Sequence, residues 1–243
     1  MSSERLDKII SSQLNISRKE ARAGIRGGAA LVNGAAVKIA DYRLDPERDS
    51  VVYNGSEVIY KKYIYIVMNK PKGVISASED NSRKTVIDLL PDRLKRRGLF
   101  PVGRLDRDTT GLLIITDDGD FAHRVLSPAK QIYKTYIAEL DGPVTGETLD
   151  FFSREITLRD GTVCRRAYLK RLGERRAEIR ICEGKYHQIK RMFGEAGLGV
   201  TELERRAVGG YELPGFLARG ECIEIKKNEL EPIFRNQQKS INA

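Results

Sequence analysis

Residues 103–111 read Gly103-Arg104-Leu105-Asp106-Arg107-Asp108-Thr109-Thr110-Gly111, and the apolar run 112–115 follows at once. A polar segment that leads into four consecutive apolar residues is typical of a loop entering a buried β-strand. Asp106, Asp108 and Thr110 alternate like the first ligands of a calcium-binding loop, but its twelfth position is Asp117 where Glu is expected. Pro101 and Gly103 also disfavour the helix that should precede such a loop, so calcium binding is disfavoured.

A purely structural interpretation applies to the neighbours of Asp106. Asp108 and Thr109 can satisfy backbone groups of a turn, and Asp117-Asp118-Gly119 is interpreted as a β-turn.

On both sides of this stretch, short apolar runs alternate with short helical segments. The runs at 65–68, 112–115, 136–138 and 179–181 predict strands, and the segments 88–90, 121–126 and 188–193 predict helices. We therefore predict an α+β domain with a mixed, mainly antiparallel sheet flanked by helices. The lysine-containing end of the chain, from about residue 233, is predicted to be a mobile tail.

The first sixty residues have a different pattern. Ser17 and Glu20 form a capping box that opens a helix at about 18–26, and Asn33-Gly34 between apolar residues predicts a tight hairpin. An earlier helix is predicted from apolar residues that recur with helical spacing at Leu6, Ile9, Ile10 and Leu14. With a short linker at 60–62, the predicted domains are 1–60 and 61–243.

Basic residues form a stripe on the second predicted helix. Arg18, Arg22 and Arg26 recur every four residues beside the apolar Ala21 and Ile25. Such a stripe can follow phosphates, and a solvated helix face is the alternative.

The composition indicates a folded protein and suggests a polyanionic partner, with a basic surface that serves only solubility as the alternative. The chain has 243 residues, 40% of them hydrophobic, and a formal net charge of +9, which favours encounter with nucleic acid. Three cysteines without metal-ligand spacing predict neither a disulfide framework nor a zinc site, which fits a reducing cytoplasm. The N-terminus lacks the apolar core of a signal peptide, and no apolar run could span a bilayer.

Four sequence blocks resemble one known family. Residues 103–112 are similar to the G-R-L-D-x-D-T-T-G-L motif of the RsuA-like bacterial ribosomal RNA pseudouridine synthases, closest to the small-subunit branch. The other blocks are Asn-Lys-Pro-Lys-Gly at 69–73, Lys-Thr-Tyr at 134–136 and Glu-Gly-Lys-Tyr-His-Gln-Ile-Lys-Arg-Met-Phe at 183–193, and 205–210 also matches in kind. Residues 3–50 resemble the αL RNA-binding module of a small-subunit ribosomal protein.

The resemblance implies a role for each matched residue. Asp106 becomes the catalytic carboxylate, Tyr136 packs on the target base and Lys190 pairs with Asp106. Arg104 fills the space of the extruded base. Lys185, where the family usually has arginine, and Arg191 are assigned to substrate binding. Binding of the RNA backbone is assigned to Arg5, Lys8, Arg18, Arg22 and Arg26.

The implied reaction turns a uridine of ribosomal RNA, most simply 16S rRNA, into pseudouridine without cofactor or metal. The sequence agrees, since it has no phosphate-binding or dinucleotide fingerprint, and His123 and His187 lack metal-ligand spacing. His187 is interpreted as a structural residue. Asp106 can act as a nucleophile toward the sugar or as a base that removes its proton.

Three alternatives stay open for the substrate and the activity. They are a 23S rRNA target, a transfer RNA target, and a non-catalytic rRNA-binding assembly factor. The protein is predicted to be a monomer.

Overall fold

The computed structural model describes residues 3–235, and the chain forms two compact units. The first unit runs through Ile64 and also includes Leu90–Phe100, whereas the second consists of Tyr65–Leu89 and the chain from Pro101 onward. The boundary predicted after residue 60 lies close to the end of the first segment. The return of the chain at Leu90–Phe100 to the first unit was not predicted.

Two helices open the first unit where the sequence predicts them. Helix α1 is Leu6–Gln13 and helix α2 is Arg18–Arg26. The predicted capping box is confirmed, because Ser17 Oγ accepts from the Glu20 amide and the Glu20 carboxylate accepts from the Ser17 amide. The core of this unit is formed by the buried residues Leu6, Ile9, Ile10, Ala21, Ile25, Ala30, Val32, Leu44, Val51, Tyr53 and Val58.

Six short strands complete this unit, namely β1 (Glu4–Arg5), β2 (Ala30–Val32), β3 (Ala35–Ala36), β4 (Arg43–Leu44), β5 (Val51–Tyr53) and β6 (Ser56–Glu57). Strand β1 pairs with β4, and the other four form an antiparallel sheet in the order β3-β2-β5-β6. The predicted hairpin is confirmed: Asn33 and Gly34 join β2 to β3 with φ of 50° and 79°. These positive values are what a two-residue hairpin turn requires.

Residues 90–100 are tied to the first unit by a buried arginine. The guanidinium of Arg96 donates to the carbonyl of Lys61 at 2.8 Å and to Gln13 Oε1 at 3.3 Å. A single 3₁₀ turn, Asp92–Leu94, lies in this segment.

The helix predicted at 88–90 is wrong. Asp88 instead accepts hydrogen bonds from the amide and the hydroxyl of Thr85, at 2.8 and 2.9 Å. This closes a turn, and the chain does not continue as a helix because Pro91 disfavours helical backbone at the residue before it.

The second unit contains helices α3 (Gly119–Leu126), α4 (Gly146–Phe152) and α5 (Gln188–Glu195), with 3₁₀ helices at Pro128–Lys130 and Lys227–Phe234. The predictions at 121–126 and 188–193 are confirmed, whereas α4 was not predicted. Within residues 3–235, no helix is long and apolar enough to cross a membrane.

The interpretation of Asp118 as a β-turn residue is wrong. Asp118 is buried and caps α3, accepting a hydrogen bond from the Phe121 amide at 2.9 Å. Its carboxylate also accepts hydrogen bonds from the Tyr65 hydroxyl and the Lys227 ammonium group. A carboxylate at a helix N-terminus satisfies an otherwise unpaired amide, which explains why Asp stands here.

The strands of the second unit are β7 (Tyr65–Lys70), β9 (Thr110–Thr116), β10 (Lys134–Leu140), β11 (Ile156–Thr157), β12 (Val163–Cys164), β13 (Tyr168–Arg171), β14 (Arg176–Ile181), β15 (Val200–Val208), β16 (Tyr211–Glu212) and β17 (Cys222–Ile225), and the two-residue β8 (Phe100–Pro101) begins at the last residue of the first unit. Their main sheet has the order β13-β14-β10-β15-β9-β7-β17, with β16 beside β15 and β8 beside β9; β11 pairs with β12 separately. Along this order β15 and β9 are parallel and the other pairs are antiparallel. The predicted mixed, mainly antiparallel sheet is confirmed.

The mobile tail predicted from about residue 233 begins too early. Ile233 is buried, and the ring of Phe234 meets that of Phe121 edge-to-face at 5.9 Å. These apolar contacts hold the chain against the second unit as far as Phe234. The rest of the predicted tail, 236–243, lies outside the described residues.

Candidate functional site

The loop that carries Asp106 has a backbone fixed by hydrogen bonds. The Thr109 amide donates to the Asp106 carbonyl at 3.1 Å, which closes a tight turn. The Ser76 hydroxyl accepts from the Leu105 amide at 3.0 Å and donates to the Leu105 carbonyl at 3.1 Å. The carboxylate of Asp106 is therefore presented from a loop whose shape does not depend on that side chain.

A buried lysine braces the same loop. Lys70, the last residue of β7, is fully buried, and its ammonium group donates to the carbonyls of Asp106, Thr109 and Pro71 at 3.1, 2.9 and 3.0 Å. Burial lowers the pKa of Lys70 to about 8, against the opposing influence of the Asp108 and Asp106 charges. Sequence reasoning missed this residue, although a lysine at the end of an apolar strand was a visible signal.

One open pocket lies beside this loop. Five predicted site residues line it together: Arg104, Asp106, Tyr136, Lys185 and Lys190. The other residues of its wall are Leu105, Thr109, Ile181, Gly184, His187, Gln188, Ile189 and Leu203. Strand β10, helix α5 and the Asp106 loop thus converge on a single cavity.

The predicted ion pair between Lys190 and Asp106 is not the main contact of that lysine. Lys190 Nζ lies 2.5 Å from Asp108 Oδ1 and 3.9 Å from Asp106 Oδ2. The hydrogen bond from Lys190 holds the pKa of Asp108 below its usual value. Asp106 keeps 30% of its side chain exposed, so its carboxylate is open to a ligand in the pocket.

A histidine also faces the carboxylate. His187 Nε2 lies 3.7 Å from Asp106 Oδ1. His187 precedes α5 and has left-handed backbone, with φ of 48°, a conformation uncommon for residues other than glycine. The sequence indicated a structural residue rather than a metal ligand here, and only its place in the 183–193 block hinted that it lines the pocket.

The remaining predicted residues have different surroundings. Tyr136 is 8% exposed, with its ring in the pocket wall. Arg104 is exposed and makes no ion pair within residues 3–235. Lys185 contacts the Val163 carbonyl. Arg191 pairs with Asp160 at 2.6 Å and is not among the residues that line the pocket.

The side chains of this loop do not converge as calcium ligands would. Asp108 is engaged by Lys190, and the Thr110 hydroxyl donates to the Leu203 carbonyl at 3.4 Å. In the described part of the chain, no group of three or more His, Cys, Asp or Glu side chains is arranged to hold a metal ion.

Comparison with known proteins assigns the chain to a family. A family model described as RNA pseudouridylate synthase matches residues 64–195. The chain belongs to this family. A second model, the S4 domain, matches residues 4–49, so the synthase domain follows an S4 domain.

Relatives of this family match over almost the whole chain. The Bacillus subtilis RNA pseudouridine synthase YtzG is 39% identical over 93% of this chain and 96% of that protein. The ribosomal small subunit pseudouridine synthase A of Escherichia coli K12 is 37% identical over 94% of this chain and 99% of that protein. A pseudouridylate synthase crystal structure superposes with a TM-score of 0.66 at 32% identity, covering 95% and 99% of the two chains.

In the S4 domain, two arginines of the predicted cationic stripe, Arg18 and Arg22, share one carboxylate with Arg5. Asp7 is fully buried, and its carboxylate forms ion pairs with the guanidinium groups of Arg5, Arg18 and Arg22 at 3.1, 3.0 and 2.7 Å. These three side chains remain 36%, 47% and 42% exposed, so each can still meet a phosphate.

The two other predicted RNA-binding residues differ from this trio. Lys8 pairs with Glu4 at 2.8 Å. Arg26 is exposed and makes no ion pair within the described residues.

We predict that Asp7→Asn destabilises the S4 domain in a pH-dependent way. Burial alone would raise the pKa of Asp7, but hydrogen bonds from Arg22, Arg5 and Arg18 outweigh it and lower this pKa to about 2. The stabilisation is therefore complete above the unfolded-state pKa of about 4 and is lost as pH falls toward 2. At neutral pH, losing a buried charged acceptor should cost on the order of 2–4 kcal/mol.

Urea unfolding of wild type and Asp7→Asn at pH 7, 4 and 3 measures this effect. The difference in unfolding free energy should shrink below pH 4. Asp41→Asn is the control. Asp41 is an exposed carboxylate of the same unit, so this change should alter the free energy of unfolding little. An equal difference at all three pH values would contradict the role of the Asp7 charge.

We predict that Lys190→Met impairs turnover more than stability. The ion pair with Asp108 is partly exposed, with 23% and 66% of the two side chains accessible, so its loss should cost less than about 1 kcal/mol. The cation beside Asp106 is also lost, and the rate should fall by roughly a hundred-fold. Lys190→Arg should be milder, since it keeps the charge.

Single-turnover rates and urea unfolding, measured on the same preparations, separate these two effects. A Lys190→Met protein with the wild-type rate would show that this ammonium group has no part in the reaction.

Proposed function

We propose that this family member converts a uridine of small-subunit 16S ribosomal RNA to pseudouridine, with Asp106 as the catalytic carboxylate and without a cofactor. One observation carries the proposal: Asp106, Tyr136, Arg104 and Lys190 line a single pocket. The small-subunit target is supported by the Escherichia coli relative that is named for it and matches 94% of this chain.

The reaction needs no oxidant or reductant. The bond between the ribose and the base nitrogen breaks, the base turns, and a bond forms between the same sugar carbon and carbon 5 of the base. The proton displaced from carbon 5 leaves, and the freed ring nitrogen takes up a proton. An ionised carboxylate near the sugar suffices, either as a nucleophile or as a base that removes a sugar proton.

The surroundings of Asp106 suit an ionised carboxylate. Lys190 Nζ and His187 Nε2 lie 3.9 and 3.7 Å from its two oxygens. A nearby cation favours the charged form of a carboxyl group when a ligand excludes water from the site. Because Lys190 also holds Asp108, we propose that this lysine positions the loop as well as balancing its charge.

A structured uridine must leave its stack before its glycosidic bond becomes accessible. Unstacking costs a few kcal/mol, which contacts to the flipped base and a side chain in its former place can offset. We assign the first role to the ring of Tyr136 in the pocket wall and the second to Arg104, whose exposed guanidinium is free to enter the RNA. Lys185 and Arg191 then contact the RNA backbone near the pocket.

We assign backbone binding to the S4 domain, through Arg5, Arg18 and Arg22 around Asp7 together with Lys8 and Arg26. Fixed guanidinium groups recognise phosphate positions without reading bases, as folded RNA is commonly bound. We further propose that the protein acts in the cytoplasm as a monomer.

Tritium release from carbon-5-labelled uridine tests the reaction and the substrate together. Wild-type protein is incubated with labelled 16S rRNA, 23S rRNA, transfer RNA and small-subunit precursor particles. Release from 16S rRNA or its particles is expected. Release from 23S rRNA or transfer RNA alone would overturn the proposed target, and no release from any substrate would indicate a non-catalytic assembly factor.

Mapping pseudouridine in both ribosomal RNAs, with and without the gene, identifies the position. One small-subunit pseudouridine should disappear when the gene is deleted. The loss of a large-subunit pseudouridine alone would contradict the proposal.

A further inference from the structure

We propose that the exposed ring of Tyr186 is a stacking platform for an unpaired base of the substrate RNA, adjacent to the target uridine. This inference rests on the proposed function and adds a second nucleotide contact to the same site. Tyr186 lies within the 183–193 sequence block, which by itself gives this residue no role.

The exposed ring of Tyr186 offers apolar surface that a ligand can cover. Tyr186 is 75% exposed, which leaves a large aromatic surface in contact with water. Most of a tyrosine ring is apolar and gains free energy when it is covered. Among the described residues only Phe216, also 75% exposed, is as accessible an aromatic side chain.

The ring is not free to reorient at random. It stacks on the imidazole of His187, with the ring centroids 3.9 Å apart and the planes 18° from parallel. His187 in turn sits at the start of α5 with left-handed backbone. One face of Tyr186 is therefore covered by His187, and the opposite face is open and held in a defined direction.

This stack leads to the reaction centre. His187 Nε2 lies 3.7 Å from Asp106 Oδ1, and His187 lines the pocket. The order is therefore the open face of Tyr186, then His187, then the catalytic carboxylate. A base on the open face would lie beside the pocket, close enough to belong to a nucleotide next to the one whose sugar meets Asp106.

Three basic residues lie close to Tyr186 in the chain and favour RNA over a protein side chain as its ligand. Lys185 precedes it and pairs with Glu183, and Lys190 follows on α5 and pairs with Asp108. Arg191, whose Nη1 lies 3.5 Å from the Tyr186 carbonyl, pairs with Asp160. An aromatic face among cationic groups is the arrangement by which proteins hold unstacked bases, since the cations meet the phosphates and the ring meets the base.

The test measures RNA affinity as a function of salt in an Asp106→Asn background, so that no turnover occurs. The probe is 16S rRNA, or the small-subunit particle if only that form is modified. Tyr186→Ala should weaken binding by roughly 5- to 100-fold, the range expected for one base–aromatic stack. Tyr186→Phe should bind like the parent, because it keeps the ring.

The salt dependence separates stacking from charge. Stacking releases no counterions, so the slope of log affinity against log salt should be the same for Tyr186→Ala and its parent. Tyr186→Leu, which still covers His187 with apolar atoms but has no aromatic face, should bind as weakly as Tyr186→Ala. Phe216→Ala is the matched control, because it removes an equally exposed ring that does not stack on His187, and it should leave affinity unchanged.

Tritium release by wild type and by the same Tyr186 variants, with Asp106 intact, tests the proposed function separately from the stacking platform. Active wild type together with unaltered affinity of Tyr186→Ala would overturn the stacking platform and leave the proposed function standing. A shallower salt slope for Tyr186→Ala would overturn it as well. Weakened binding to the particle but not to naked RNA would mean that Tyr186 contacts a protein, which also overturns the proposal.

Discussion

Asp106→Asn is expected to lower the rate of pseudouridine formation by at least roughly a thousand-fold, while RNA affinity and the free energy of unfolding change little. An amide of the same shape is neither a nucleophile nor a base, and removing such a group typically costs 10³-fold or more. The fold is spared because Lys70 and Thr109 bind the backbone carbonyl of Asp106, not its carboxylate.

Single-turnover tritium release and filter binding to the same RNA provide the two measurements. Asp108→Asn is the matched control, since it makes the same chemical change two residues further along the loop. It removes the main partner of Lys190 but leaves the Asp106 carboxylate in place, so its cost should be far smaller. An Asp106→Asn protein that kept a tenth of the wild-type rate would eliminate this carboxylate as the reacting group.

Gly111→Ala is expected to destabilise the synthase domain by roughly 3 kcal/mol or more. Gly111 has a φ of 101°, and a Cβ atom placed there would lie 2.3 Å from the Arg205 carbonyl oxygen and 2.8 Å from the Arg205 nitrogen. Both contacts are with backbone, so no side chain can move aside. Gly111 and Arg205 form one of the two register pairs that join β9 to β15.

The consequence should extend to the active site. Strand β15 is also the neighbour of β10, with Arg205 opposite Tyr136. Moving β15 away from β9 would therefore displace the strand beside the pocket wall. Turnover should fall together with stability, unlike the Asp106→Asn variant.

Urea unfolding of Gly111→Ala against Gly119→Ala tests the close approach. Gly119 begins α3 without positive φ, and no heavy atom lies within 4 Å of the position that an added methyl group would take. Alanine there should be neutral or stabilising by up to about 1 kcal/mol, because alanine favours helix. Equal unfolding midpoints for the two variants would contradict the close packing of β9 on β15.

The features that were predicted correctly depend on contacts between residues close in the chain. The capping box of Ser17 and Glu20 and the Asn33-Gly34 turn each involve residues no more than three positions apart. Hydrophobic periodicity likewise placed α3, α5 and the central strands, because burial of one face repeats with the geometry of the element. The prediction of a helix at 88–90 was wrong because three residues before a proline are too few to show a helical pattern.

The sequence by itself determined the family, the α+β class and five of the side chains that meet in the pocket, since the motif blocks carry them as a group. Only the tertiary structure decided which of those side chains touch. Lys190 reaches Asp108 across 82 positions, and Lys70 reaches the carbonyls of the Asp106 loop across more than thirty. Arg18 and Arg22 turn to Asp7 from another helix. Local periodicity specifies the face on which a side chain lies, but distant strands and helices must pack before its partner is defined.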